Sequence, residues 1–343
     1  MITLETYRRI QDIRPAWEKL YETSPLPLTP FSSYVYTYNC VQSLRWRFRG
    51  YELCPVCFYS KEGEKEAIFL LIENKNKHEL TTISVYSPVD YYELLSNTTD
   101  LSFVKRSVVK IIELYEDYTI RFDSIHENSI LYNLFKTLPS IVQNCVEIPV
   151  EDYDSYFRNL SKHQRQNIRT IYNRLENKKS IHKLEKYSYP IPDNALDAFR
   201  RGFFQRRLQR IYRGMHLKTK FKCWYNAICS WIKDPIIPNN TNLNKDVVIF
   251  LYKINSICVA CIMGMYSKDR KTFFIPRLMG DRRYSEYSPG ILMLNEVIKV
   301  LADEGVETID LARGDEPYKF AMGGVYHYNY SFTLNDETIK KIL

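Results

Sequence analysis

The sequence predicts an α/β protein made of two successive units, each a central mixed β-sheet flanked by helices. Three observations predict this. Segments with apolar residues at three- and four-residue steps are interspersed along the whole chain with apolar runs of strand length. In the second half, three strand-like runs (247–254, 257–266, 272–279) lead into a helix, a strand, a charged loop and a last strand at 326–334, and the first half repeats this order coarsely. The 343 residues are also enough for two domains with cores of their own.

The first half divides as follows. Tyr7, Ile10, Ile13, Trp17 and Leu20 predict a helix over the first twenty or so residues, ended by Ser24-Pro25-Leu26-Pro27 and Pro30. The Tyr-rich stretch 32–46 reads as a second helix with an aromatic face. Strands are expected near 51–60, 66–73 and 80–87, the first two joined through Lys61-Glu62-Gly63-Glu64. Asp90 and Tyr91, with Tyr92, follow the third strand, where they offer a polar edge to a substrate cleft or form a solvated loop. A helix over 103–115, a strand at 118–122, a short helix at 127–137 and a strand at 141–150 complete the unit. The boundary is expected near 150, giving domains 1–150 and 151–343.

The second half opens with cations. Ser161 is placed to cap a helix over 162–177, on which Lys162, Arg165, Arg169 and Arg174 share a broad side opposite Ile168, Ile171, Tyr172 and Leu175. Arg200, Arg201, Arg206, Arg207, Arg210 and Arg213 follow, mixed with Phe199, Phe203, Phe204 and Tyr212. Residues 158–220 hold 17 Lys and Arg against four acidic residues, a local excess of 13 in a chain of net charge +8. Such a block suits a polyanion, either a nucleic acid or the phosphates of a cofactor or activated substrate, and equally suits two solvated helix faces. A further helix is expected over 219–233 with Trp224, Ile228, Trp231 and Ile232 inward, then a loop at 235–244.

The stretch 282–319 concentrates the chemistry. Ser288-Pro289-Gly290 precedes a helical run (Ile291, Leu294, Val297, Ile298, Leu301), with Ser288 the expected N-cap and Pro289 suited to the first helical position. Gly290 leaves the first turn bare, so its amides and dipole form a site for phosphate, with Arg282 and Arg283 just upstream. The expected strand 306–311 then runs into Arg313-Gly314-Asp315-Glu316-Pro317-Tyr318-Lys319, a turn-rich segment at a strand's carboxyl end, where ligands collect in α/β folds.

Ser-Pro-Gly at a helix start, followed by a strand running into that charged turn, resembles the GNAT acyltransferases of the FemAB-like branch, which includes the acetyltransferase domain associated with bacterial cellulose biosynthesis. Leu160-Ser161-Lys162 before a basic helix and Pro88-Val89-Asp90-Tyr91-Tyr92 are weaker echoes. The resemblance implies tandem GNAT-like domains and an acyl donor such as acetyl-CoA, with an amine as acceptor. Ser285, Ser288 and Gly290 stand where the family's phosphate loop (Gln/Arg-x-x-Gly-x-Gly/Ala) has its Gln or Arg and its two small residues. The resemblance also implies that the charged turn lines the acceptor site. Asp315 or Glu316 would take the amine's proton, and Tyr318 would protonate the leaving thiolate, a phenol's pKa lying close to a thiol's. Lys319 would stabilise negative charge, and Arg313 would touch substrate or pair with Asp310 or Asp315. Two alternatives stay open: a FemAB-type transferase drawing an amino acid from charged tRNA through the 158–220 cations, and a degenerate, non-catalytic GNAT pair that only binds.

Other classes find little support. No Gly-x-Ser-x-Gly, HExxH or P-loop spacing occurs, and His163, His216 and His327 lack a nucleophile pattern. Cys54-Pro-Val-Cys57 and Cys258-Val-Ala-Cys261 could suggest zinc, but they sit in strand-like runs, where side chains three apart face opposite sides; buried thiols and no metal are expected. With no membrane-length apolar run and no leader-like N-terminus, a cytoplasmic protein is expected.

Overall fold

The computed structural model describes residues 2–47, 52–87, 89–209, 211, 215–233 and 245–334. Pro88, Arg210, Tyr212, Arg213, the whole of the expected loop 235–244 and the side chains of Trp231 and Ile232 lie outside the described residues. Two compact units form: Met1–Asn144 with His327–Leu343, and Cys145–Tyr326.

The chain begins with a strand, β1 (Thr3–Tyr7), and not with the expected helix. Its ladder partner lies far downstream (Thr3 opposite Lys61, Tyr7 opposite Cys57), so a local helical period could not reveal it. The period takes effect later, in a 3-10 turn and α1 (Arg14–Thr23), which has a proline in its first turn. Then come α2 (Tyr34–Arg47), β2 (Leu53–Glu62), β3 (Lys65–Asn74), β4 (Glu79–Thr82) and β5 (Leu95–Ser96). Next are α3 (Leu101–Leu114), β6 (Thr119–His126), α4 (Ile130–Phe135) and β7 (Ser140–Pro149). The β2–β3 hairpin turns at Gly63, whose φ of +60° favours a residue without a Cβ.

The second half contains α5 (Tyr153–Asn159), α6 (Lys162–Asn177), β8 (His182–Ser188), α7 (Asp193–Leu208) and α8 (Leu217–Lys233). It continues with β9 (Val247–Ile254), β10 (Ile257–Tyr266), β11 (Thr272–Gly280), α9 (Pro289–Asp303), β12 (Thr308–Arg313), α10 (Pro317–Ala321) and β13 (Val325–Leu334). As expected, Ser161 caps α6, its Oγ accepting from the Gln164 amide at 3.1 Å, and Ile168, Ile171 and Leu175 are buried. Trp224 is a correction: it is 49% exposed, and Ala227 faces in instead. β8 escapes sequence reading because its run HKLEKYS has no fully buried residue.

In the first unit the sheet order is β1-β2-β3-β4-β6-β13, with β4 and β6 parallel and β5 added to β3. Its core packs Phe58, Phe69, Leu71, Phe103, Val108, Ile111 and Phe122. In the second unit the order is β7-β12-β11-β10-β9-β8, with β11 and β12 parallel and Cys145–Pro149 of β7 against β12. Ile148, Ile171, Phe250, Ile262, Phe273, Leu294 and Ile298 form its core. With β5 set aside in the first half and α5 and α6 in the second, both halves of the sequence run strand, two helices, three strands, helix, strand, helix, strand. Each sheet is closed by the last strand of the other half.

The seven described cysteines are free thiols, with Cys54 and Cys57 in β2 and Cys258 and Cys261 in β10. Burial pushes Cys57 up to about 12 and Cys258 up to about 11, so neither is a reactive thiolate. Among the described residues no helix is long and apolar enough to cross a membrane.

Candidate functional site

The parallel pairing of β11 with β12 spans only Thr272–Thr308, Phe273–Ile309 and Phe274–Asp310. Beyond that, β11 runs on to Gly280 without β12 beside it, while β12 bends at Ala312 (φ +57°) before Gly314 (φ +104°). A crevice therefore opens at the carboxyl ends of two parallel strands, where α/β folds place ligands. Gly280 leads through a 3-10 turn (Arg282–Tyr287) into α9.

The mouth of α9 is held open from both sides. Ser288 adopts φ +42°, ψ +59°, and its side chain caps nothing, which corrects the expected hydroxyl cap. Its carbonyl instead accepts from the Ile291 and Leu292 amides at 2.9 and 3.1 Å. The left-handed conformation that a glycine would favour is thus retained at Ser288. Pro289 has no N–H, and the Gly290 amide has no acceptor among the described residues. A Cβ on Gly280 would lie 3.1 Å from the Gly290 nitrogen, so glycine at the end of β11 keeps that amide uncovered. Sequence reading passed over Gly280, for which neither motif nor period gave a signal.

The rim is built by Asp281, also unnoticed in the sequence. Its Oδ1 accepts from the Gln209 side chain at 2.8 Å, tying the end of α7 to the end of β11, and from the Arg283 amide at 2.9 Å. Arg283 grips the same carboxylate through Nε and Nη2, so it serves the rim and is not a loose phosphate ligand. Burial opposes the charge of Asp281, but the Arg283 and Gln209 contacts outweigh it and hold the carboxyl below its usual range. Arg282 is exposed beside it.

The equivalent place in the first unit is closed. There too the parallel pairing lasts three residues, Glu79–Thr119 to Thr81–Arg121. Tyr92 then bridges to Ile125, its amide donating to the Ser124 carbonyl at 2.9 Å. The N-terminus of α3 is plugged by Asp100, which accepts from the Ser102 and Phe103 amides at 2.8 and 3.2 Å. Among the described residues no such bridge or cap closes the second unit's crevice.

The segment after β12 is a short helix, α10, where the sequence suggested an open turn. Lys319 is 2% exposed, and its Nζ donates to the carbonyls of Leu311, Ala312, Arg313 and Gly314 at 2.9–3.2 Å, with Glu316 Oε2 at 3.2 Å. Three N–H groups already face five acceptors. Lys319 therefore fixes the loop and is spent before any substrate arrives, contrary to the expected role on negative charge. Tyr318 is partly buried against the unit's core. Burial and the neighbouring Glu316 push its phenol up to about 12, away from a thiol's range rather than close to it. Asp315 and Glu316 are exposed.

The remaining expected contacts scatter. Arg165 folds back onto the Leu160 carbonyl at 2.7 Å and onto that of Arg158, so it braces the α5–α6 turn. Lys162 is exposed at the start of α6. Further along that helix Arg174 and Lys178 both contact Glu286, and Arg207 lies over the Phe203 ring. In the first unit the Asp90 carbonyl accepts from Asn329, and Tyr91 is buried among Phe31, His126 and His327. Tyr91 is a core residue there, not a polar rim.

Residues 162–320 match the family described as acetyltransferase (GNAT) domain. That match takes in this crevice and marks the stretch as resembling a GNAT domain, and the fold of the chain is consistent with the FemAB-like branch. The structure is similar to that of FemX (10% identity, TM-score 0.57), covering 98% of this chain and 99% of that one. It is also similar to the C-terminal domain of a putative lysylphosphatidylglycerol synthetase from Agrobacterium fabrum (9% identity, TM-score 0.55, 97% and 96% coverage). A third likeness is to L-PGS from Bacillus licheniformis (13% identity, TM-score 0.51, 84% and 87% coverage). No curated protein matches the sequence. At these identities the likenesses define the fold alone, a GNAT-type scaffold.

Proposed function

We propose that this protein is an N-acyltransferase that takes an acyl group, acetyl in the first instance, from acyl-CoA at the mouth of α9. It delivers that group to an amine of a small molecule or cell-envelope precursor. The observation that supports this reading best is the difference between the two crevices: Asp100 caps the helix and Tyr92 bridges the strand gap in the first, while Ser288, Gly280 and Gly290 leave the helix mouth of the second bare. The donor's diphosphate sits at the Gly290 amide, flanked by Pro289 and Ile291, with Arg282 adding charge. The acceptor nitrogen attacks the thioester carbonyl, the C–N bond forms and the C–S bond breaks. Asp315 or Glu316 takes the ammonium proton, directly or through water. Tyr318, at about 12, keeps its proton and stabilises the leaving thiolate by donating a hydrogen bond. Lys319 and Arg313 keep the loop in place.

The competing reading, transfer of an amino acid from charged tRNA, has the FemX-like fold and the 158–220 cations in its favour. Thermal unfolding with each donor separates the two. Acetyl-CoA at about 100 times its Kd stabilises the protein by roughly 2.7 kcal/mol. Gly290→Asp removes that shift at little cost in stability, since a Cβ there meets only Leu278 Cδ2 at 3.5 Å and the new carboxylate covers the amide. A shift with tRNA and none with acetyl-CoA overturns the proposal in favour of the second reading. Stabilisation by neither leaves a binding module.

A further inference from the structure

In the second unit α8 packs against α7 and presents a large apolar face to solvent. Leu217, Phe221, Trp224 and Tyr225 recur at helical spacing and form one stripe, with half-buried Ile228 a turn further on. They are 79%, 65%, 49% and 55% exposed, while Ala227 is buried. The Phe221 and Trp224 rings lie 6.2 Å apart, so the stripe is continuous. Single exposed apolar side chains need no explanation, but a contiguous patch marks a contact surface. Lys218 and Lys222 are exposed one position after Leu217 and Phe221, so they line one flank of the stripe. The 17 residues of α8 include four lysines and no Asp or Glu. The last turn of α7 adds Arg206 and Arg207.

Covering the stripe removes apolar area from water, and the cations beside it call for an anionic partner. A second copy of the chain would bring the same positive charge to the contact. Single-stranded nucleic acid needs aromatic faces set among cations in a groove that tracks its backbone. On α8 the apolar and charged residues are instead segregated along a convex helix, and Leu217 has no ring on which a base could stack. The long lysine stems can reach past the apolar plane to charges above it. Leu and Phe at the centre, Trp and Tyr beside them and Lys on the flank make the pattern of a helix lying in a headgroup layer.

We propose that α8 docks this protein on the surface of an anionic lipid bilayer, Leu217, Phe221 and Trp224 entering between headgroups and Lys218 and Lys222 pairing with lipid phosphates. The helix lies along the surface and does not span it. This docking face stands whether or not the second unit uses acyl-CoA.

Sedimentation of the full chain with vesicles tests it, using phosphatidylcholine with about one-third phosphatidylglycerol against phosphatidylcholine alone, at about 0.1 M salt. The protein is expected to bind the anionic vesicles about ten-fold more tightly, each lysine at the surface contributing about five-fold. Phe221→Ser with Trp224→Ser removes the apolar half of the contact, and Lys218→Glu with Lys222→Glu the charged half. Each pair should weaken binding to anionic vesicles by about ten-fold. The unfolding midpoint should not change, because these side chains already face solvent. Where either pair fails to fold, Trp224→Phe decides: brominated acyl chains should quench the wild type's tryptophan fluorescence, and the variant should lose part of that quenching. No sedimentation with anionic vesicles, equal affinity for both kinds, wild-type affinity in a folded pair, or unchanged quenching in Trp224→Phe overturns the proposal. A protein that ignores vesicles, but whose tRNA binding or self-association is lost in the same variants, assigns the face to RNA or to a second copy and overturns it as well.

Discussion

Replacing Lys319 by methionine separates a scaffold lysine from a chemical one. Methionine keeps the length of the stem and removes the ammonium that gathers the carbonyls of residues 311–314. Each hydrogen bond from a charged donor is worth about 1.5–3 kcal/mol net, and an ammonium has three to give. The desolvation of a side chain 2% exposed offsets part of that sum. Removing one partner from a buried charged cluster costs about 3–5 kcal/mol, which is the loss expected for Lys319→Met. Urea unfolding followed by circular dichroism measures it as a lower midpoint at unchanged slope. Lys319→Arg should fare little better, because a planar fork does not fit a ring of four carbonyls around one nitrogen. If Lys319→Met instead unfolds with the wild-type midpoint and only transfer is lost, the ammonium acts on substrate and the structural reasoning fails.

Two further outcomes can be worked out, the first from Glu93, which lies between β4 and β5 and whose Oε2 accepts from the Thr29 amide and hydroxyl and from the Ser32 hydroxyl. Glu93 has a folded pKa of about 7 against an unfolded value of 4.5, so the native state holds its proton longer than the unfolded chain. Stability should therefore be greatest below about pH 4.5 for this group and fall as pH rises to about 7, by at most about 3 kcal/mol. Subtracting the urea-derived profile of Glu93→Gln isolates the effect, and a flat difference between pH 4.5 and 8 refutes it. Ser288→Gly relieves a left-handed non-glycine residue and should raise stability by up to about 1 kcal/mol while keeping acetyl-CoA stabilisation; a destabilised variant would mean the hydroxyl has a use that its geometry does not show.

Much of the fold was legible because its elements advertise themselves locally. The runs at 247–254, 257–266 and 272–279 became β9–β11, the period at 103–115 became α3 (Leu101–Leu114), and the run from Ile291 to Leu301 became α9 (Pro289–Asp303). What escaped depends on distance along the chain. β1 is a strand only because Cys57–Lys61 lies beside it, and β8, an edge strand rich in charge, has no buried face to betray it. The same limit applies to the candidate site. Ser288, Pro289 and Gly290 could be read as a helix mouth from their order alone. That Gly280 guards the mouth, that Asp281 absorbs Arg283, and that Lys319 turns inward are facts of packing. Glu93 carried no motif; only its three hydrogen bonds from Thr29 and Ser32 distinguish it.

The closing strands set an order on biosynthesis. β13 lies against β6, and no other described strand forms that edge of the first sheet in its place. A ribosome that has finished the first half has therefore released a sheet with a bare margin, which stays bare until β13 emerges. Division at the midpoint would leave each fragment holding the other's missing plank, so the halves should be recovered together or as aggregates, and co-expression should rescue what separate expression does not.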